Sequence, residues 1–160
     1  MTPEIALRPA GESDRPLLLR VFAGTRAREL ALLPGDEAAK EAFLRLQFEA
    51  QERSYRAQSP DAAIDVVLVD GEPAGRLIVA RGEREIRILD IALLPEHRGA
   101  GIGTALLRRL LAEADARGAV TTIHVALSNR ARALYERLGF VEVSRDGVYA
   151  AMRRQVNTAS

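Results

Sequence analysis

The chain contains no cysteine. That excludes disulfides, a thiolate nucleophile, covalent acyl-cysteine chemistry and any sulfur-ligated metal site. Histidine is scarce as well: His97 and His124 are the only two, and they do not stand at His-x3-His spacing. No metal centre is expected, and each histidine reads as a surface or strand residue. No apolar stretch approaches the ~20 residues that span a bilayer, and the start Met-Thr-Pro-Glu-Ile-Ala-Leu-Arg has no basic patch followed by a long apolar run. A soluble, cytoplasmic protein without a membrane partner is expected. Excess charge of either sign is missing too: 23 Lys and Arg against 22 Asp and Glu leave a net charge of +1. Nothing in bulk electrostatics draws nucleic acid or an anionic surface, so any specificity must be local. There is no internal repeat and no low-complexity segment. The 160 residues suit one domain that buries roughly 68–70% of its unfolded surface, expected over residues 1–154 with a frayed tail at 155–160.

What is present is a regular alternation of strand and helix signals. Glu4 to Arg8 reads as a first strand, ended by Pro9 and the turn Ala10-Gly11-Glu12, before Ser13 or Asp14 caps a helix with Pro16 in its first turn. Leu17, Leu18, Val21 and Phe22 follow helical spacing. After the break Leu33-Pro34-Gly35-Asp36, a second helix is expected from about Glu37 to Ala57, with Ala42, Phe43, Leu46 and Ala50 on one stripe. Two helices would thus separate the first two strands. Ile64 to Asp70 and Gly75 to Arg81 form a hairpin around Asp70-Gly71-Glu72-Pro73, and Gly82 to Glu85 turn the chain into a strand from Ile86 to Leu94. A long helix over 102–117 closes at Gly118, and Val120 to Leu127 returns beside the preceding strand by a right-handed crossover. A helix from Asn129 to Leu138 and a hairpin of Phe140 to Ser144 with Val148 to Arg153 complete the pattern.

The segment Arg98-Gly99-Ala100-Gly101-Ile102-Gly103 lies between that apolar strand and the long helix. Alternating glycines let the backbone turn tightly and approach a ligand without Cβ atoms in the way. The first free N–H groups of the following helix, with its positive dipole end, point at whatever sits there. A phosphate or pyrophosphate is the natural guest, and a glycine-rich connection with no ligand is the alternative. Two familiar phosphate patterns fail on residue identity. A P-loop needs Lys after its last glycine, where Thr104 stands, and the dinucleotide fingerprint needs glycine where Thr104 stands and a later acid that Val120 to Leu127 does not offer.

A second segment follows the next strand: Ser128-Asn129-Arg130-Ala131-Arg132-Ala133-Leu134-Tyr135-Glu136-Arg137-Leu138-Gly139-Phe140. Together, Arg-Gly-x-Gly-x-Gly and Asn-x5-Tyr-x3-Gly-Phe closely resemble the two signature motifs of the GNAT superfamily of acyl-CoA N-acyltransferases. The stretch Leu94-Pro95-Glu96-His97-Arg98-Gly99 also looks like that family's strand exit, and the resemblance runs from about Ile86 to Val143. It departs at Ala100, where family members often carry a basic residue. The resemblance implies an α/β domain with a central, mostly antiparallel mixed sheet of about seven strands flanked by about four helices, splayed where the cofactor enters. It also implies direct acetyl transfer from acetyl-CoA to a primary amine of a small molecule or peptide, without a metal. A homodimer is compatible with the sequence, and a catalytically silent coenzyme A-binding module is the rival from another class.

Amine attack on a thioester needs a held cofactor, a neutral amine, a stabilised oxyanion and a proton for the departing thiolate. The amides of Arg98, Gly99, Ala100, Gly101, Ile102, Gly103 and Thr104 are expected to take the pyrophosphate, with the Arg98 side chain adding charge. By the resemblance, Ile91, Ala92 and Leu93 would hydrogen-bond the pantetheine arm, one of their amides could polarise the thioester carbonyl, and Asn129 would contact the cofactor. Tyr135 matches the family's general acid. A phenol with pKa near about 10 is protonated at neutral pH and can donate to a thiolate beside it, while the alternative is a core aromatic among Leu134, Leu138 and Phe140. Asp90 is a polar intruder between Leu89 and Ile91, on the face of Ile88 and Ala92. A carboxylate there is costly unless paired or facing a cleft, so it reads either as base or substrate anchor, or as the partner of backbone or an Arg. Glu83 and Glu85 are weaker candidates on a solvated hairpin. Arg53, Tyr55 and Arg56 could line an acceptor site or form an exposed polar face.

Overall fold

Short apolar runs punctuated by turn residues dictate a strand-rich chain, and the computed structural model shows seven strands and five α-helices among the residues it describes, 2–127, 129 and 131–157. The elements are β1 (Ile5–Pro9), α1 (Arg15–Thr25), α2 (Ala27–Leu32), α3 (Glu37–Gln58), β2 (Ala63–Val69), β3 (Glu72–Arg81), β4 (Glu85–Leu93), α4 (Ile102–Arg117), β5 (Val120–Ala126), α5 (Arg132–Arg137), β6 (Val141–Arg145) and β7 (Tyr149–Arg154). One mixed sheet has the order β1-β2-β3-β4-β5-β7-β6. β4 and β5 are parallel, whereas β1–β2, β5–β7 and β6–β7 are antiparallel. The short turns between β2 and β3 and between β3 and β4 allow only antiparallel pairing. The expected mixed, mostly antiparallel sheet is therefore present. The chain divides into two compact units, Met1–Ile78 with Asp90–Ala100, and Val79–Leu89 with Gly101–Ser160.

In the first unit, β1 is an edge strand and so tolerates Pro9, whose missing N–H costs no ladder bond there. Its neighbour is held in register from Ile5 with Val69 to Pro9 with Asp65. The β2–β3 turn is tighter than expected. Asp70 and Gly71 both have positive φ, 51° and 83°, which suits the right-handed twist of a two-residue hairpin, and Glu72 and Pro73 already belong to β3. Asp14 does not cap α1 as expected. Its carboxylate accepts the Gly11 amide at 2.8 Å and both arms of Arg8 at 2.8 Å, closing a 3-10 turn over Glu12–Asp14. Three α-helices rather than two separate β1 from β2. Thr25 donates its hydroxyl back to the Phe22 carbonyl at 2.6 Å, a local bond that competes with the helix ladder, and Arg26 leaves the helical region at φ −112°. The packing centre is Phe22, Leu44 and Phe48, with the two rings 5.6 Å apart. A second cluster joins Val21 to Ala92 and Leu94.

In the second unit, α4 buries Leu106, Leu107, Leu110, Leu111 and Ala114, a single stripe at helical spacing. It ends as expected at Gly118, which is left-handed at φ 67° while Ala119 donates to Ala114 at 2.8 Å. The parallel β4–β5 ladder runs from Glu85 with Val120 to Ile88 with Ile123, leaving Leu89 to Leu93 outside it. α5 starts at Arg132, later than the expected Asn129, because Asn129 forms a turn of its own. In the expected tail the Asn157 amide donates to Asp115 at 2.9 Å, beside the Arg154–Asp115 ion pair.

Candidate active site

The exit of β4 is set by a glycine on the neighbouring strand. A Cβ on Gly75 would lie 2.2 Å from the Ala92 carbonyl oxygen and 2.9 Å from a Leu93 methyl. Only glycine allows β3 and β4 to approach this closely at Ala92 and Leu93. After Leu94, residues Pro95–His97 make one 3-10 turn, closed by the Arg98 amide donating to the Pro95 carbonyl at 3.2 Å. Gly99 and Gly101 both take φ 79°, and Gly101 is the N-cap of α4. The first helical bond is Ala105 to Gly101 at 3.0 Å.

The six amides from Gly99 to Thr104 consequently have no acceptor among the described residues. They open at the start of a 16-residue helix, where unpaired N–H groups and the helix dipole favour an anion. Arg98 is the correction to the expected set: its amide is spent inside the 3-10 turn, so the row of open donors begins at Gly99. Its side chain donates Nε–H to the Leu93 carbonyl at 3.1 Å. That ties the turn to the strand exit and leaves the terminal guanidinium nitrogens for a ligand.

Asp90 has the arginine partner that a carboxylate in a strand requires. Arg76 of β3, 4% exposed, donates Nε–H to the Asp90 carboxylate and one Nη2–H to Gln51 of α3 at 2.7 Å. Its guanidinium also lies 5.8 Å from the centre of the Phe22 ring. Burial pushes the Asp90 carboxyl above its ordinary pKa, opposed by the charges of Arg76 and Arg26 and by a hydrogen bond from the Ile91 amide. The carboxylate is thus held in place and keeps an appetite for a proton. Arg76 and Gln51 complete the surroundings of Asp90, and neither is among the candidates named from the sequence. Arg76 nonetheless carries the same signal as Asp90, a charge inside an apolar strand.

Tyr135 and Asn129 lie in the second unit. The Tyr135 ring is 5% exposed and packs edge-on against Phe140, with centroids 5.8 Å apart. Asn129 uses its side-chain oxygen locally, accepting the Ala131 amide at 2.8 Å, while its own amide donates to Ala126 at 2.9 Å. The carboxamide NH2 is the part able to face a ligand. Its flanking residues Ser128 and Arg130 lie outside the described residues. Glu85 accepts the Thr122 hydroxyl at 2.9 Å, and Glu83 is exposed on the hairpin, the solvated arrangement already set against a role for both. On α3, Tyr55 and Arg56 border a cleft whereas Arg53 is exposed and does not. No cluster of metal-ligating side chains occurs among the described residues, and no helix among them is long and apolar enough to cross a membrane.

Residues 27–140 match the acetyltransferase (GNAT) family, and the chain belongs to that family. Among curated proteins it is similar to the [ribosomal protein bS18]-alanine N-acetyltransferase of Haemophilus influenzae, 42% identical over 60 residues. The match spans 37% of this chain and 41% of that relative's length. Among solved structures the chain is similar to the PaiA N-acetyltransferase of Thermoplasma acidophilum in complex with coenzyme A. The TM-score is 0.70 at 19% identity, over 95% of this chain and 99% of the other. It is also similar to the ribosomal-protein-S18-alanine N-acetyltransferase of Escherichia coli, with TM-score 0.64 and 23% identity over 98% and 97% of the two chains. At these identities the structural likenesses establish the shared fold.

Proposed function

We propose that the chain transfers an acetyl group from acetyl-CoA directly to a primary amine of a small molecule or peptide. The observation that carries this reading is the row of six open amides, Gly99 to Thr104, at the start of α4 in a chain of the acetyltransferase family. Two left-handed glycines shape the turn, and a row of open donors at the positive end of a helix suits the diphosphate of coenzyme A. Bound there, acetyl-CoA supplies an activated acyl group as a thioester. Arg98 adds charge at the phosphates, and the backbone of Ile91, Ala92 and Leu93 offers hydrogen bonds to the pantetheine arm and polarises the acyl carbonyl. Asn129 contributes its NH2.

Asp90 takes the proton that a protonated amine, with pKa near about 10, must lose before its lone pair can form the new C–N bond. Tyr135 returns a proton to the sulfur as the C–S bond breaks. Atoms balance: the amine gains the acetyl group and free coenzyme A thiol leaves. In becoming the amide the protonated amine gives up two protons, one that Asp90 passes to solvent and one that restores the Tyr135 hydroxyl after it has protonated the thiolate. Free thiol release with acetyl-CoA and a panel of amines, amino acids, polyamines, aminoglycosides and peptides tests the reading. Tight coenzyme A binding with no thiol release on any amine would replace it with the silent binding module.

A further inference from the structure

The first unit contains a cleft between α3 and the β2–β3 pair, lined by Leu18, Phe48, Ile64, Ile78, Arg56 and Arg76 among others. Most of its wall is apolar. The polar groups on it do not balance. Glu52 is neutralised by Arg15 at 2.9 Å. Arg56 has no ion pair or hydrogen bond among the described residues. Arg76, almost wholly buried, spends only its Nε–H and an Nη2–H on Asp90 and Gln51. Its remaining N–H groups, including both on Nη1, have no acceptor among the described residues, and the side chain borders the cleft rather than being sealed off from it. A planar fork of donors open to a cleft matches a carboxylate.

We propose that this cleft is the acceptor subsite and takes a free amino acid with an apolar side chain. Its carboxylate would meet Arg76 and the rim charge of Arg56, and its side chain would lie against Phe48, Ile64 and Ile78. The inference rests on the acetyl-transfer reading and deepens it. Arg76 touches Asp90, so an amino group placed one carbon from a carboxylate on Arg76 lies next to the residue that receives its proton. The N-terminus of a polypeptide carries a neutral amide at that position and leaves both arginines uncompensated.

L-leucine and L-leucinamide share the side chain and differ at that group. Because the amide also lowers the amine's pKa toward about 8, kcat/KM is compared per neutral amine. Both are measured on the full chain, by ligand-observed NMR with coenzyme A bound and by thiol release with acetyl-CoA. L-leucine is expected to bind and to be acetylated with kcat/KM roughly tenfold or more above L-leucinamide, the scale of a charge-assisted pair. Arg56→Gln, an exposed change that leaves the fold alone, narrows that ratio. Arg76→Lys keeps a cation beside Asp90 but loses the fork, and should abolish the preference. If that buried variant fails to fold, the comparison on the natural chain decides alone. Equal or better turnover of L-leucinamide overturns the inference and leaves acetyl transfer standing. No thiol release with either compound or with any amine, while coenzyme A binds, overturns the acetyl-transfer reading and the acceptor role with it.

Discussion

Gly103→Glu separates a phosphate site from an empty glycine turn, because only the phosphate reading couples a gain in stability to a loss of coenzyme A affinity. Gly103 is the second residue of α4, has no positive φ, and an added Cβ would meet no heavy atom within 4 Å. Unlike Gly99 and Gly101, both at φ 79°, it can accept a side chain without backbone strain. Replacing a helical glycine gains about 0.5–1 kcal/mol. A carboxylate in the first turn adds about 0.3–1 kcal/mol against the dipole, and no acidic residue stands there already. The melting temperature should therefore rise, by about 2–4 °C for each kcal/mol in a domain of this size. The same carboxylate competes for the open amides and repels a diphosphate. Two unit charges at 4 Å cost between about 1 kcal/mol in water and about 4 kcal/mol at an effective dielectric of 20, a loss of roughly fivefold to several hundredfold in coenzyme A affinity. Calorimetry at low and high salt reads this directly, since added salt should recover part of the loss. Gly103→Gln supplies the uncharged control. A stabilised Gly103→Glu variant that binds coenzyme A with unchanged Kd refutes the site.

Gly75→Ala should lower the melting temperature by several degrees, since a Cβ 2.2 Å from the Ala92 oxygen forces a backbone shift of the overpacking kind, about 1–3 kcal/mol or more; an unchanged melting curve would show that β3 and β4 do not meet so closely. Tyr135→Phe keeps the ring against Phe140 and should lower kcat by about 10²–10⁴, whereas near-natural turnover with chemistry limiting would make Tyr135 purely a core residue. Asp90→Asn leaves Arg76 buried without its counter-charge and should cost about 3–5 kcal/mol by denaturant unfolding, with the loss smaller when Arg76 is replaced as well. Asp14, held at about 2 from an ordinary 3.8 chiefly by the Arg8 guanidinium, stabilises the fold above that ordinary value and ceases to as pH falls toward about 2. The stability gap between the natural chain and Asp14→Asn should close over that acid range, and a gap that persists at pH 2 would contradict the pairing.

Which parts of this were legible in the sequence follows from the range of the forces involved. The bounds of α4 are local: glycines at both ends and one apolar stripe between them leave no other start or stop, and residues 102–117 are helical as expected. The break between α1 and α2 is also local but has no compositional mark, because a threonine hydroxyl bending back onto a carbonyl looks like any threonine in a helical window. The Arg98 amide departs from the expected open row for a related reason: a 3-10 turn of three residues captures it and leaves the amides that follow open. The role of Gly75 depends on what lies across the sheet, and nothing within its own strand announces it.

Asp90 and Arg76 show how such long-range information can still be recovered. Each is a charge inside an apolar strand, and each taken alone invites a functional explanation. A buried charge needs a partner of opposite sign, so two intruders on strands joined by a hairpin argue for one another before any coordinates are known. Once paired, they alter the question asked of Asp90. A lone carboxylate in a strand would be a free base, whereas one that shares with Gln51 an arginine bordering a cleft is coupled to whatever occupies the remaining donors of that arginine. In the acceptor reading proposed above, a carboxylate on those donors would offset the Arg76 charge that opposes protonation of Asp90, making Asp90 a better base as the amine arrives. A carboxylate-bearing amine would then promote its own deprotonation, and one lacking that group would not.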